Sequence, residues 1–431
     1  MNIFVLTLGC PKNMVDSEYL QAELAGDSVR FVAEAEAADV VIINTCAFIL
    51  PAQEEAIETI LEVVELKKQR TVQQLYVTGC LPQRQLVELE QALPEVDGFF
   101  SQKDFGRIGR LLRKRLGISA SQPKSRRVLQ TPAHYAYLKI AEGCNNRCHY
   151  CTIPLIKGGY QSQPLAELMT EAQELVDRGV RELILVAQDT TYYGWDQGQQ
   201  NLLQLLIRSL VKIEKLHWLR LLYAHPAHVD EELLRLFQAE TKLCRYIDLP
   251  IQHISDRMLA AMGRPTTGAA IRNLIDRLRR NIPDLAIRTT VMVGYPGETT
   301  ADFELLRDFL AETKFERLGI FKYYAEKGTR AAHLPHQIDE NTKDERLEEL
   351  QLLQADIARE KNIGFVGQTV SVLIDEPDET PNAYLGRTQW DSPGIDNVVH
   401  VTGELTCGQI YPVKIQAAAE YEMWGSVNSI D

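Results

Sequence analysis

Three cysteines within eight residues, Cys144, Cys148 and Cys151 of the segment CNNRCHYC, follow closely on the apolar run Tyr137–Ala141. The spacing C-x3-C-x2-C gathers three thiols in one loop at the end of a strand. Three thiolates can hold three corners of a cubane cluster and leave its fourth iron open to a small molecule. The same thiolates leave a tetrahedral zinc site one ligand short. The remaining zinc ligand on offer, His149, lies between two of the cysteines, where reaching a shared ion would strain the loop. The loop therefore favours a [4Fe-4S] cluster, with zinc as the alternative.

Three further cysteines end apolar runs in the first hundred residues: FVLTLGC at Cys10, VVIINTC at Cys46 and LYVTGC at Cys80. Consecutive parallel strands carry their carboxyl ends to one edge of a sheet, where open α/β folds place their ligands. These thiols are therefore expected to converge on a second [4Fe-4S] cluster with an open iron, the alternative being scattered structural cysteines. Cys244 and Cys407 have no partners at ligand spacing and read as small buried hydrophobes. Eight cysteines among 431 residues are too few for a disulfide scaffold and point to metal or redox chemistry.

The rest of the chain supplies the frame. Apolar runs at Ile3–Leu8, Val40–Asn44 and Leu75–Thr78 alternate with helical stretches from Asn13, Pro51 and Gln83, which predicts a mostly parallel α/β domain over residues 1–118. Residues 119–131, with the turn-rich SASQPKSRR, form a basic linker. Over residues 132–361 six strand–helix units follow, their strands near Tyr137–Ala141, Glu182–Ala187, Leu219–Ala224, Tyr246–Leu249, Ile287–Val293 and Leu318–Tyr323. That run predicts a (β/α) barrel, complete or open, with a doubly wound sheet as the alternative. Beyond the charged helix Asp344–Asn362, short alternating runs at Gln368–Ile374, Ala383–Arg387, Val398–Val401 and Ile410–Ala417 predict a small antiparallel β-barrel over residues 362–431.

Charge is unevenly spread. Residues 362–431 carry ten acidic side chains against Arg387 and Lys414, a net of −8, whereas residues 101–131 carry nine basic side chains against Asp104, a net of +8. An acidic C-terminal part repels a phosphate backbone and attracts a basic partner. DEPDET (Asp375–Thr380) reads as a solvated loop, with docking as the sharper possibility. The start, MNIFVLTLG, lacks the basic region of a signal peptide, and no stretch reaches the ~18 apolar residues of a membrane helix. A cytoplasmic protein with no membrane partner is expected.

The triplet at the head of strand–helix units, with the aromatic Tyr150 before its third cysteine, resembles the radical S-adenosylmethionine superfamily. Adding the second cysteine trio, the chain resembles the methylthiotransferases of that superfamily through TLGCPKNMVDSE, EGCNNRCHYCTIP, VAQDTTYYG, DLPIQHISDRML and TTVMVGYPGET, and its C-terminal part resembles their TRAM domain. VAQDT and LGRTQWDSPGID (with Asp391, Pro393, Ile395 and Asp396) are similar to the RimO-type branch rather than the branch that modifies transfer RNA. The resemblance implies two [4Fe-4S] clusters, on Cys144, Cys148, Cys151 and on Cys10, Cys46, Cys80. It implies two molecules of S-adenosyl-L-methionine, one spent as radical source and one methylating the sulfur. It further implies an electron donor such as flavodoxin or ferredoxin, a sulfur donor, and an aspartate β-carbon of ribosomal small-subunit protein twelve, free or on the subunit, as acceptor.

Cosubstrate contacts are expected from Tyr150, from Gln188 and Asp189 at a strand end, from Arg288, and from Gly294, Gly297 and Glu298 of GYPGE. Capping by Asp189, a plain tight turn at GYPGE, and a satisfied core histidine at His253 beside Gln252 are the structural alternatives. No acid–base dyad is required, because a carbon radical removes a hydrogen atom whole. Against the RimO-type pattern, Lys157, Gln161 and Gln163 stand at places usually held by arginine, His225 at that of an aromatic and Gly394 at that of a glutamate. A transfer-RNA methylthiotransferase and a non-catalytic iron–sulfur protein that docks on ribosomes or RNA are the other functions in view.

Overall fold

Strands without a polar face must be covered on both sides, and the first sheet is built on that rule. The computed structural model describes residues 1–101, 106–119 and 125–427. It begins with β1 (Asn2–Thr7), α1 (Pro11–Leu24), β2 (Arg30–Phe31), β3 (Val40–Thr45), α2 (Leu50–Lys68), β4 (Gln74–Gly79), α3 (Cys80–Ala92), β5 (Gly98–Phe100) and α4 (Ile108–Leu116). Every residue of β3 is buried. Val41 and Ile43 pack with α2 and α3, while Val40 and Ile42 pack with α1 and α4. The strands pair in parallel in the order β2-β1-β3-β4-β5, which reverses direction between β1 and β3.

The central part comprises β6 (Tyr135–Lys139), β7 (Ala141–Glu142), α5 (Ile153–Lys157), β8 (Gln161–Ser162), α6 (Leu165–Asp177), β9 (Glu182–Val186), α7 (Leu202–Leu210), β10 (Trp218–Leu221), α8 (Glu231–Ala239), β11 (Leu243–Asp248), α9 (Asp256–Ala261), α10 (Gly268–Asn281), β12 (Ala286–Val293), α11 (Thr300–Thr313), β13 (Arg317–Lys322) and α12 (Glu340–Ile363). Side chains of Asp230, Ser255, Thr267, Thr299 and Asp339 accept hydrogen bonds from the first turns of α8, α9, α10, α11 and α12, which sets where these helices begin. Six strands pair in parallel in chain order, β6-β9-β10-β11-β12-β13, without closing. No reversal of order occurs, so this part is an open (β/α) barrel and not a doubly wound sheet. Leu183 and Leu185 of β9 face the helices, whereas Ile184 and Val186 face inward and share a core with Val15 of α1 and Leu373 of the C-terminal part. The neighbouring parts therefore fill the open barrel's inner side.

β14 (Thr369–Pro377), β15 (Ala383–Thr388), β16 (Val398–Thr402), β17 (Ile410–Ala418) and β18 (Glu422–Val427) close into a small barrel. Four of its contacts are antiparallel and the fifth, β16 with β18, is parallel. A ring of five strands cannot alternate direction all the way round, so one parallel contact is obligatory. The sequence reading had missed β18.

Several surface expectations are corrected. Asp375 of the DEPDET run accepts from Arg387 Nε at 2.6 Å and meets His134 Nε2 at 2.8 Å, so it is part of the seam and not a solvated loop. Arg127, counted in the basic linker, is 1% exposed and bound by Glu18 and Glu171; residues 120–124 of that linker lie outside the described residues. Cys244 is buried, but Cys407 is exposed in a turn.

Candidate active site

Cys10, Cys46 and Cys80 follow the carboxyl ends of β1, β3 and β4, and the order of strands reverses between the first two. That crevice is where open α/β sheets bind ligands. Local backbone brings the thiols together. Gly9 has φ +90°, and a Cβ there would stand 2.5 Å from Cys46 Cβ and 2.9 Å from its Sγ. Asn13, fully buried, donates to Leu8 O and Thr45 O at 3.1 and 3.0 Å and accepts from the Cys80 thiol at 3.9 Å. Cys10 caps α1 and Cys80 opens α3, so the positive ends of two helices favour thiolate or an anionic cluster. Burial pushes Cys46 up and Cys80 to about 12, each raised further by its neighbouring cysteines.

The second trio sits on the loop after β7. Gly143 precedes it at φ +75°, its missing Cβ filled by the Gly159 carbonyl. The Ile153 amide donates to Cys151 Sγ at 3.4 Å and Arg264 Nη1 to Cys148 Sγ at 3.9 Å, the kind of N–H···S contact that tunes a cluster. Burial raises Cys151 well above its ordinary range and Cys144 to about 11, with Cys148 adding to both. His149 is engaged elsewhere, by Ala261 O at 2.8 Å and Arg330 at 3.1 Å, which removes the zinc alternative that used it. Zinc also needs its sulfurs within about 4 Å of one another. Among the described residues, the His, Cys, Asp and Glu side chains that bring three ligand atoms within 4.8 Å are Asp189, His225 and His228, and neither cysteine trio is drawn so tight. Both trios suit a cubane better than a single ion.

Asp189 does not cap a helix. It accepts from Asn146 Nδ2 at 2.8 Å and Thr191 Oγ1 at 2.6 Å and pairs with His228 Nδ1 at 2.8 Å, which ties the cysteine loop to the end of β9. With its lone pairs so used, this carboxylate acts as a hydrogen-bonded post and leaves little for an ion. His225 Nδ1 accepts from the Ala227 amide, which leaves a proton on Nε2 in the neutral ring; burial, with Arg264 nearby, pushes its pKa down to about 3. That Nε2, Arg264 Nε and Gln188 Oε1 are buried without hydrogen-bond partners among the described residues. Two orphan donors and an orphan acceptor around the strand ends fit a ligand that carries both a carboxylate and an amine.

The other residues expected at the cosubstrate have partners within the chain or line a cavity. Glu298 is buried between Arg346, His253 and the Gly294 amide, and Lys343 presses on Gly294, so these two build the GYPGE turn; Gly297 donates to His336 O. Arg288 lies near the start of β12, held by Asp248 at 3.0 Å and Asp396 at 3.4 Å at the seam with the small barrel. Tyr150 and Gln252 line a cavity of about 170 Å³ together with Phe48, Ile49 and Met292. His253 is a satisfied core histidine.

The loops of the two trios meet at one seam. Thr152 Oγ1, beside Cys151, donates to Phe48 O, two residues past Cys46, at 3.1 Å. Lys157, at an expected arginine place, has a side chain that is 3% exposed and pairs with Asp16 and Glu142, with Cys80 and Cys10 within electrostatic reach. Lys12 reaches from α1 to the Tyr223 ring at the end of β10, 3.7 Å to its centroid. Lys12, Lys157 and Arg264 were not foreseen as site residues. The available signal was Lys12, a cation in the first turn of a helix, where the macrodipole opposes it.

Comparison with known proteins follows this architecture. Family models match residues 2–101 (uncharacterized protein family UPF0004), 138–310 (radical SAM superfamily) and 366–427 (TRAM domain). Similar proteins include the ribosomal protein uS12 methylthiotransferases RimO of Citrifermentans bemidjiense and Syntrophus aciditrophicus, each 43% identical over 99% of this chain and 98% of their own, and that of Alkaliphilus oremlandii, 42% identical over 99% of both. In fold, the radical S-adenosylmethionine methyltransferase TsrM of Kitasatospora setae is similar, with a TM-score of 0.55 at 14% identity over 74% of this chain and 72% of its own. The identity along nearly the full length, together with the three matched parts, places the chain in the RimO family of methylthiotransferases within the radical S-adenosylmethionine superfamily.

Proposed function

We propose that this enzyme adds a methylthio group to the β-carbon of an aspartate of ribosomal protein uS12, the substrate in its relatives' names. In this reading Cys144, Cys148 and Cys151 hold the radical-generating [4Fe-4S] cluster, and Cys10, Cys46 and Cys80 hold the second. When loaded, these groups supply one-electron cleavage of S-adenosylmethionine for hydrogen abstraction, and the sulfur for transfer. The domains divide at about residues 118, 131 and 361, in keeping with the spans matched by the family models.

The observation that carries the reading is the Thr152–Phe48 hydrogen bond, which sets the loops of both cysteine trios against each other at one seam. There the chain's own residues have distinct tasks. Asn146 and Asp189 fix the cysteine loop to β9. His225 Nε2 and Arg264 Nε receive the carboxylate of the cosubstrate's methionine, and Gln188 Oε1 its amine. Tyr150 offers an aromatic wall beside the adjoining cavity. The ion pairs of Asp16 with Lys139 and Lys157, and of Arg84 with Glu326, close the seam to water. The acidic C-terminal part suits a basic ribosomal protein better than RNA. A cytoplasmic setting and small one-electron and sulfur donors complete the reading, and no helix is long and apolar enough to cross a membrane among the described residues. Intact masses of ribosomal proteins from cells with and without the enzyme test it: uS12 should lose one methylthio group when the enzyme is absent. Unchanged uS12 would overturn it.

A further inference from the structure

Lys12 is placed at some cost. It occupies the second position of α1, where the positive end of the helix opposes a cation. The residue is 7% exposed, and its ammonium has neither a hydrogen bond nor an ion pair among the described residues. An unpaired buried charge is expensive and is rarely kept without a task. Lys157, by contrast, faces the same region but is compensated by Asp16 and Glu142. What Lys12 does have is the Tyr223 ring, and Tyr223 itself is held at φ +57°, a conformation that a bulky side chain adopts only where its surroundings impose it. The Tyr223 N–H donates to Asp248 Oδ2 and its carbonyl accepts from the Thr190 amide, both at 3.0 Å, and the backbone so held sets the ring against an ammonium located two residues from Cys10.

From this juxtaposition we infer that Lys12 is the receiver of the substrate's side-chain carboxylate. The inference rests on the proposed aspartate acceptor. A carboxylate is one bond from the β-carbon to be functionalised, so a cation between Cys10 and the end of β10 holds that carbon in the seam where the loops of both cysteine trios meet. Charge-assisted hydrogen bonding makes this a strong and directional anchor. A substrate without an anion next to the reacting carbon gains nothing from Lys12, so the residue selects for an acidic side chain. Glu142 and the thiols of the Cys10 trio are the neighbouring acidic groups, and Glu142 is already engaged by Lys139 at 2.9 Å.

The test uses reconstituted full-length enzyme and two versions of uS12, one with its acceptor aspartate and one with asparagine there. Wild type should bind and modify the aspartate form in preference to the asparagine form. Lys12→Met, which keeps the apolar stem over Tyr223, should lose this discrimination. Its KM and Kd for the aspartate form should rise roughly 10- to 100-fold, as expected for a lost hydrogen bond to a charged group, while those for the asparagine form stay put. Lys12→Arg should recover most of the preference. Iron content and thermal midpoint equal to wild type confirm that each variant is folded and loaded. If Lys12→Met keeps both wild-type affinity and the preference for aspartate, the inference is overturned and the uS12 reading stands. If wild type modifies neither form of uS12, that reading itself fails.

Discussion

The carboxylate of Glu182 and the guanidinium of Arg387 lie 205 positions apart in the chain and meet at 2.7 Å with almost no solvent around them. Glu182 also accepts from Arg220 Nε at 2.7 Å, so one buried carboxylate bridges a cation of the open barrel and a cation of the small barrel. Removing Glu182 leaves Arg387 with Asp375 but leaves Arg220 buried without a carboxylate, at a cost of about 3–5 kcal/mol. Glu182→Ala should therefore lower the thermal midpoint and expose the chain after α12 to limited proteolysis. A midpoint within a degree or so of wild type would mean that Glu182 adds nothing to the hold on the small barrel.

The same seam predicts an acid response. Burial works against the charge of Asp375, but Arg387 and His134 outweigh it and hold the carboxyl below its ordinary value. A carboxyl depressed in the folded state contributes its full stability above the unfolded value near ~3.9 and loses it as pH falls below that value. Trp390, whose indole donates to Asp284 O across the seam at 2.7 Å, reports the change by fluorescence. The signal should shift as pH falls below about 3.9 in wild type, and Asp375→Asn should remove the part of this response that depends on the seam.

Substrate steering follows from the same correction. With Asp375 inside and Asp378 paired to His400 at 2.9 Å, the exposed acids left in this run are Glu376 and Glu379. Their reversal to lysine should slow association with a basic ribosomal protein and flatten its salt dependence. The effect should fade as the screening length falls from ~10 Å at 0.1 M salt to ~3 Å at 1 M. Stopped-flow association across that range reads it, and an unchanged slope would assign the steering to another face.

How much of this was legible in the chain depends on the range of the contacts. Runs such as VVIINT announce buried parallel strands because both faces must be apolar, and a cysteine at the end of each run announces convergence. In contrast, β2 and β5 are edge strands of two and three residues, too short to show a period. β18, EMWGSV, is recognised only through its pairing with β16 and β17. Asp375 reads as solvated because its partner His134 is 241 residues away, and Arg127 reads as a linker cation because Glu18 is 109 away. Arg288 and Glu298 carry motif-like surroundings, yet their charges are used up by Asp396 and Arg346. Lys12 was within a quoted motif, but only the absence of a partner in three dimensions marks it out.

Iron content tests the ligand sets. Two four-iron clusters require about eight iron and eight sulfide per chain after anaerobic reconstitution. Replacing Cys144, Cys148 and Cys151 by alanine should halve both, as should replacing Cys10, Cys46 and Cys80. Full iron in either triple variant would remove that trio from the assignment.

Separate roles for the clusters predict a split phenotype. Without Cys10, Cys46 and Cys80 the enzyme should still yield 5′-deoxyadenosine from S-adenosylmethionine but transfer no methylthio group. Without Cys144, Cys148 and Cys151 both products should vanish. Loss of 5′-deoxyadenosine from the first variant, with the other cluster intact, would contradict the division.

The most direct measurement offers both candidate acceptors at once. Reconstituted wild-type enzyme, a chemical reductant, sulfide and S-adenosylmethionine labelled in its methyl group are mixed with small ribosomal subunits and bulk transfer RNA. Label and mass gain are then read on each acceptor. The predicted result is one methylthio group on the acceptor aspartate of uS12 and none on transfer RNA. Label on transfer RNA with uS12 unchanged would contradict it.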